Sequence, residues 1–188
     1  MTGTGEIVVV CTANRCRSPM AAELLRRALA DRPGAPEVSS AGFGPPDQPP
    51  LHEAAQVLRA EGLDISGHRS RRVDAALLGA VDLVVCMTRQ HLVDLVVLAP
   101  AAWGRTFTLV ELVERAERAG VAGAAMPLER WVAAVHGLRS RQEVMAYDRS
   151  VDVPDPVGQP MRAFEATFDR LQELVARLVA ALPAPPPG

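Results

Sequence analysis

The sequence predicts an α/β protein with one parallel sheet covered by helices on both faces. Continuous apolar, β-branched runs, "EIVVVC" at 6–11 and "VDLVVCM" at 81–87, have the pattern of strands buried on both sides. Between such runs, apolar residues recur at helical spacing. Strand and helix patterns also alternate along the chain, the order that parallel sheets require. At 188 residues, 48% hydrophobic and 22% charged, the chain reads as one domain over 1–182 with room for a substantial core. The Pro-rich end, 183–188, is expected to be a disordered tail.

The elements follow in order. After the first strand, Ser18-Pro19 suits a helix opening, with Ser as N-cap and Pro at the first helical position. Met20, Ala21, Leu24, Leu25, Ala28 and Leu29 then mark its apolar face. "EVSSAG" at 37–42 reads as a second strand, "GPPDQPP" as a Pro/Gly loop and "LHEAAQVLRAEGL" as a helix. The strand at 81–87 precedes a short helix around "RQHLVDLVV", and "RTFTL" at 105–109 is the fourth strand. Between 110 and 150, "ELVERAERAG", "PLERWVAAVHGL" and "RSRQEVMAY" each read as short helices of an inserted region. Phe164, Phe168, Leu171, Leu174, Val175, Leu178 and Leu182 form the core face of a long final helix.

Composition narrows the function. A net charge of −2 gives no electrostatic reason to expect nucleic acid or an acidic membrane surface as partner. All twenty cationic residues are Arg. Three cysteines do not make a disulfide framework and fit a reducing, cytoplasmic location. No signal segment precedes the first strand, and no apolar run reaches membrane-spanning length.

The chemistry concentrates in "VCTANRCRSP", residues 10–19. In parallel sheets, ligands bind beyond the carboxyl ends of the strands, and Cys11 stands at the end of the first. A loop of backbone N–H groups leading into a helix N-terminus gathers donors around a tetrahedral oxyanion. Arg17 can grip such an anion in bidentate fashion. The same field favours a Cys11 thiolate, which makes it an activated nucleophile, and Ser18 can donate to the sulfur. Cys16 either packs beneath the loop or forms a reversible disulfide with Cys11. Cys86 is a core cysteine. An acid must protonate the leaving oxygen; "DVPDP" offers Asp155 in a Pro-braced loop, with Asp152 as its competitor.

"VCTANRCRSP" resembles the phosphate-binding signature of the low-molecular-weight protein tyrosine phosphatases, and "SAG" (40–42), "HRSRR" (68–72), "DLVVCMTRQH" (82–91) and "PDP" (154–156) follow in that family's order. The resemblance implies a flavodoxin-like four-stranded parallel sheet and a phosphatase that needs no metal or cofactor. It implies that Cys11 attacks phosphorus, that Arg17 and the loop Thr12–Cys16 with Ser18 hold the phosphoryl group, and that Asp155 acts as acid and then as base. Ser40 and His68 would support Asn14. A phosphorylated protein, with phosphotyrosine first, is the implied substrate, and inorganic phosphate the product.

Ala13 stands where the family has Gly, at a cost if that position needs positive φ. Val157 replaces an aromatic residue that walls the aryl pocket, and Phe43 can compensate. Arg15, at the mouth, either is merely solvated or favours acidic substrates and disfavours phosphoarginine. Three rivals remain: an arsenate reductase of the same fold, opposed by Pro19 after Arg-Ser; a protein-arginine phosphatase of the same fold, opposed by Arg15; and a non-catalytic phosphate-binding module, opposed by the joint presence of Cys11, Arg17 and Asp155.

Overall fold

The computed structural model describes residues 5–139 and 149–185. Four parallel strands, β1 (Glu6–Cys11), β2 (Glu37–Gly42), β3 (Leu83–Cys86) and β4 (Thr106–Thr108), form one sheet in the order β2-β1-β3-β4. Register runs from Glu6 opposite Glu37 to Cys11 opposite Gly42, with Val10 opposite Cys86 on the other side. The chain leaves β1 for β2 on one side, then crosses to β3 on the other. That reversal puts a crevice at the carboxyl end of β1, where Cys11 stands.

β1 is apolar throughout because both of its faces are covered. Ile7, Val9 and Cys11 enter one core cluster, while Val8 and Val10 enter a second on the opposite face. The first core lies under α1 (Arg17–Leu29), α2 (His52–Ala60), α5 (Leu109–Ala119), α6 (Leu128–His136) and α7 (Met161–Ala181); the second lies under α3 (Ala75–Ala80) and α4 (Arg89–Leu98). The expected stripe on α7, Phe164 through Leu182, is buried. Trp131 of α6 is fully buried and donates Nε1–H to Ala181 O at 2.9 Å, which satisfies its one polar group.

At four places the structure differs from, or adds to, the elements read from the sequence. α1 opens at Arg17 with Cys16 as N-cap, so Pro19 is its third residue; proline is tolerated there because first-turn N–H groups lack intrahelical partners. The Asp74-capped α3, with Leu77 N–H bonded to Asp74 Oδ1 at 2.8 Å, was not foreseen because six residues are too few to show a period. Pro100–Arg105, unassigned in the sequence apart from Arg105, which is expected in the fourth strand, is a 3-10 turn, and β4 begins at Thr106. The chain is held beyond 182: Ala184 pairs with Ala125, and Arg32 donates to the Leu182 and Pro183 carbonyls. The helix expected at "RSRQEVMAY" lies, apart from Arg139, outside the described residues, as do 186–188.

Candidate active site

The loop from Cys11 to Ser18 joins β1 to α1, and its helix end is kept open. α3, α4 and α5 are capped by the side chains of Asp74, Thr88 and Thr108. α1, like α2, α6 and α7, has no side-chain cap, and it has no acidic residue in its first turn, so its first N–H groups can meet an anion. Cys11 is 3% exposed, and its Sγ lies 3.0 Å from Ser18 Oγ. Ser18 Oγ accepts from Asn14 Nδ2 at 2.9 Å, so its own proton is available to the sulfur, with Ala41 O as a longer alternative at 3.3 Å.

Asn14 is the residue that shapes the loop. It takes the left-handed conformation, φ 54°, which Asn tolerates better than most residues. Its Nδ2 also donates to Ser40 Oγ at 2.9 Å, and its Oδ1 accepts Arg71 N–H at 2.8 Å. His68 Nε2 lies 2.7 Å from Asn14 O, and since a carbonyl only accepts, Nε2 carries the hydrogen. Burial lowers the His68 pKa from its ordinary value of 6.5, which favours the neutral ring. Ser40 and His68 thus both bond Asn14, one at its side chain and one at its carbonyl.

Ala13 is not among the residues with positive φ, so the penalty anticipated for its Cβ does not arise. The crowded positions are its neighbours. A Cβ on Gly44 would lie 3.1 Å from Ala13 Cα, and one on Gly42 would lie 2.6 Å from Asn14 N and 2.8 Å from Cys11 O. Gly42→Ala is therefore expected to displace the loop and weaken binding of inorganic phosphate on the order of tenfold, read by titration calorimetry; unchanged affinity would mean that the loop gives way without cost.

Arg17 is 3% exposed and bridges the loop to the segment before α7. Nη1 donates to Val153 O at 3.1 Å, and Nη2 to Asp155 Oδ2 at 2.5 Å and to Thr12 Oγ1 at 3.2 Å. Its Nε–H is buried and has no partner among the described residues; a buried guanidinium donor left unspent suits an oxyanion at this point. Asp155 keeps 43% of its side chain exposed, so it faces both Arg17 and solvent. Asp152 is committed elsewhere, accepting Arg89 N–H at the start of α4 at 2.6 Å. The two carboxylates thus have different partners, Asp155 the Arg17 guanidinium and Asp152 the Arg89 N–H.

Around the mouth, Arg15 donates Nε–H to Pro49 O at 2.8 Å. Phe43 is anchored by its N–H to Thr12 O at 2.7 Å, and Val157 is 55% exposed. Cys16 is a buried free thiol within the core cluster; burial, reinforced by nearby Cys11, pushes its pKa up to about 12. Cys86 is a core thiol, its pKa also raised by burial. The residue that sequence reasoning missed is His91, whose Nε2 lies 3.0 Å from Thr12 Oγ1 and whose ring stacks on Phe43. Its only sequence signal was its place in "DLVVCMTRQH".

Comparison with known proteins points to one family. The low molecular weight phosphotyrosine protein phosphatase family model matches residues 6–124. The chain is 33% identical over 111 residues to the Escherichia coli K12 low molecular weight protein-tyrosine-phosphatase Etp, covering 59% of this chain and 73% of Etp. It is 31% identical over 177 residues to the protein-arginine-phosphatase of Geobacillus stearothermophilus, covering 94% of this chain and 95% of that one. Among solved structures, the tyrosine phosphatase Wzb of Escherichia coli K30 with sulphate superposes with a TM-score of 0.67 at 27% identity, over 95% of this chain and 97% of that one. The chain belongs to the low molecular weight phosphotyrosine protein phosphatase family.

Proposed function

We propose that this protein is a cytoplasmic phosphatase acting on phosphotyrosine in protein substrates, with residues 1–182 working as a single domain. The observation that carries the reading is the convergence of Cys11, the open end of α1, Arg17 and Asp155 on one small volume. Cys11 as thiolate attacks phosphorus, forming an S–P bond as the ester P–O bond breaks. Arg17 and the Thr12–Cys16 amides take up the charge on the non-bridging oxygens. Asp155, protonated for this step, gives its proton to the leaving oxygen; it then takes one from the water that cleaves the S–P bond and releases inorganic phosphate. Ser18 donates to the departing sulfur in that second step, which makes thiolate a better leaving group.

The substrate preference rests on the mouth. Phe43, stacked on His91, gives an aromatic wall on one side, and exposed Val157 adds apolar surface without a second ring. Arg15, tied to Pro49 O, brings a fixed positive charge beside the loop, which repels the guanidinium of phosphoarginine and attracts acidic flanking residues. The test compares kcat/KM on phosphotyrosyl and phosphoarginyl peptides of one sequence. Phosphotyrosine is expected to lead by tenfold or more, roughly the effect of one unfavourable charge pair, and Arg15→Ala to narrow that lead. Faster cleavage of phosphoarginine would favour an arginine phosphatase, the reading that the likeness to the Geobacillus enzyme supports.

A further inference from the structure

Thr12 Oγ1 stands between two buried side chains. Arg17 Nη2 donates to it at 3.2 Å, and His91 Nε2 approaches from α4 at 3.0 Å. His91 is 6% exposed, and its ring lies 5.8 Å from that of Phe43 at 24°. Its Nδ1 is buried with no partner among the described residues. Burial first, and then Arg17, push its pKa down to about 4, so the ring is neutral and carries a single N–H.

Hydrogen-bond counting places that hydrogen. A guanidinium only donates, so one lone pair of Thr12 Oγ1 is committed to Arg17. If the Thr12 hydroxyl donated to Nε2, His91 would hold its hydrogen on Nδ1 and bury an unpaired N–H. If Nε2 holds it, the buried orphan is a lone pair. Unpaired buried donors are the rarer and costlier of the two, so Nε2–H donates to Thr12. Both lone pairs of Oγ1 are then taken, and the Thr12 proton is left for a group on the open side of the loop, where Thr12 is exposed.

We propose that His91 is a positioning residue for the phosphatase reaction, fixing Thr12 through its Nε2–H so that Thr12 orients the Arg17 guanidinium. The inference rests on the reading of Arg17 as the oxyanion-binding group. It also gives Thr12 a reason to be there. Arg17 Nη2 is shared between Thr12 and Asp155, and Asp155 must turn to the leaving oxygen during the reaction. Thr12 is the contact that keeps Nη2 aimed when Asp155 does so. A histidine buried only for packing would act independently of the Thr12 hydroxyl.

The experiment is a double-mutant cycle of Thr12→Val and His91→Asn, with His91→Gln beside it, because the Gln amide can present an N–H near the position of Nε2. Two quantities are read: inorganic phosphate affinity by calorimetry, and kcat/KM for p-nitrophenyl phosphate per titratable Cys11 thiol. Each single change is expected to lower both by about tenfold, the scale of one hydrogen bond to a charged group. The double variant should be no worse than Thr12→Val alone, and His91→Gln should recover most of the loss. Multiplied effects, or a Gln variant as poor as Asn, overturn the proposal. If His91→Asn shows no melting transition, Thr12→Ser decides against Thr12→Val: equal losses in the two overturn the role of the hydroxyl, and retention in Ser supports it. Phosphate binding that obeys the cycle without turnover would sink the phosphatase reading and leave only the His91–Thr12–Arg17 anchoring of a bound anion; full turnover with additive losses would overturn the role of His91 and keep the phosphatase reading.

Discussion

Cys11→Ser is expected to reduce turnover of p-nitrophenyl phosphate by about five orders of magnitude, comparable with removing the nucleophile of other covalent enzymes. Among the described residues, the group bonded to this position is Ser18 Oγ, 3.0 Å from Cys11 Sγ, itself a hydroxyl accepting from Asn14 and no base for a serine. The thiol differs because sulfur is intrinsically the stronger nucleophile and its anion is the better leaving group when the S–P bond is cleaved. Phosphate affinity should survive the change, because Arg17, Asn14 and the helix end are untouched. Steady-state assays to high enzyme concentration, with calorimetry alongside, check both halves. Retention of more than about a hundredth of the activity would place the nucleophile elsewhere.

The largest expected effect on stability lies away from the loop. Glu111 on α5 is 8% exposed and holds two buried arginines, Arg115 at 3.0 Å and Arg139 at 2.8 Å and 3.0 Å. Arg139 is sandwiched between the rings of Trp103 and Phe107, 4.1 Å from each centroid, and donates to the Trp103 and Thr106 carbonyls. Removing one partner of a buried ionic cluster leaves charge uncompensated, at about 3–5 kcal/mol. Glu111→Gln should therefore lower Tm by on the order of 10 °C in a chain of this size. A loss below about 1 kcal/mol would mean that the carbonyls alone satisfy both arginines. Burial raises the Glu111 pKa, but Arg139 and Arg115 outweigh it and leave the value below the ordinary 4.5. Because the folded value is the lower one, this contribution is fully present above about 4.5 and is lost as pH falls through the folded value. The cluster also fixes where the chain leaves α6. Further on, Val153 N–H bonds Met87 O and Asp152 takes Arg89 N–H, so the chain is anchored again just before Asp155.

What could be read from sequence was what is local. Cys11 to Pro19 is contiguous, so a strand end, an anion loop and a helix start could be argued from neighbours alone, and β1's double burial was written in its unbroken apolar run. What failed depended on contacts distant in the chain or on details of φ. His91 lies 79 residues from Thr12, within a helix whose pattern gives no reason to single it out. The left-handed residue of the loop is Asn14, so the concern over Ala13 was one position off. Asp155 stands above Asp152 through the resemblance alone; no local pattern shows that one bonds Arg17 and the other Arg89 N–H. Glu111, Arg115 and Arg139 look like solvated charges because charged residues usually are; only the packing of Trp103 and Phe107 around Arg139 buries them.

The most direct test of the account is to trap the covalent intermediate. p-Nitrophenolate leaves without much help from an acid, so in Asp155→Asn the S–P bond should still form but hydrolyse slowly for want of a base. Rapid acid quench of that variant with p-nitrophenyl phosphate, followed by intact-mass and peptide mass spectrometry, is predicted to find one phosphoryl group per chain, on the Cys11 peptide and absent in Cys11→Ser. Turnover with no phosphoenzyme, or with the phosphoryl group on any other residue, would contradict it.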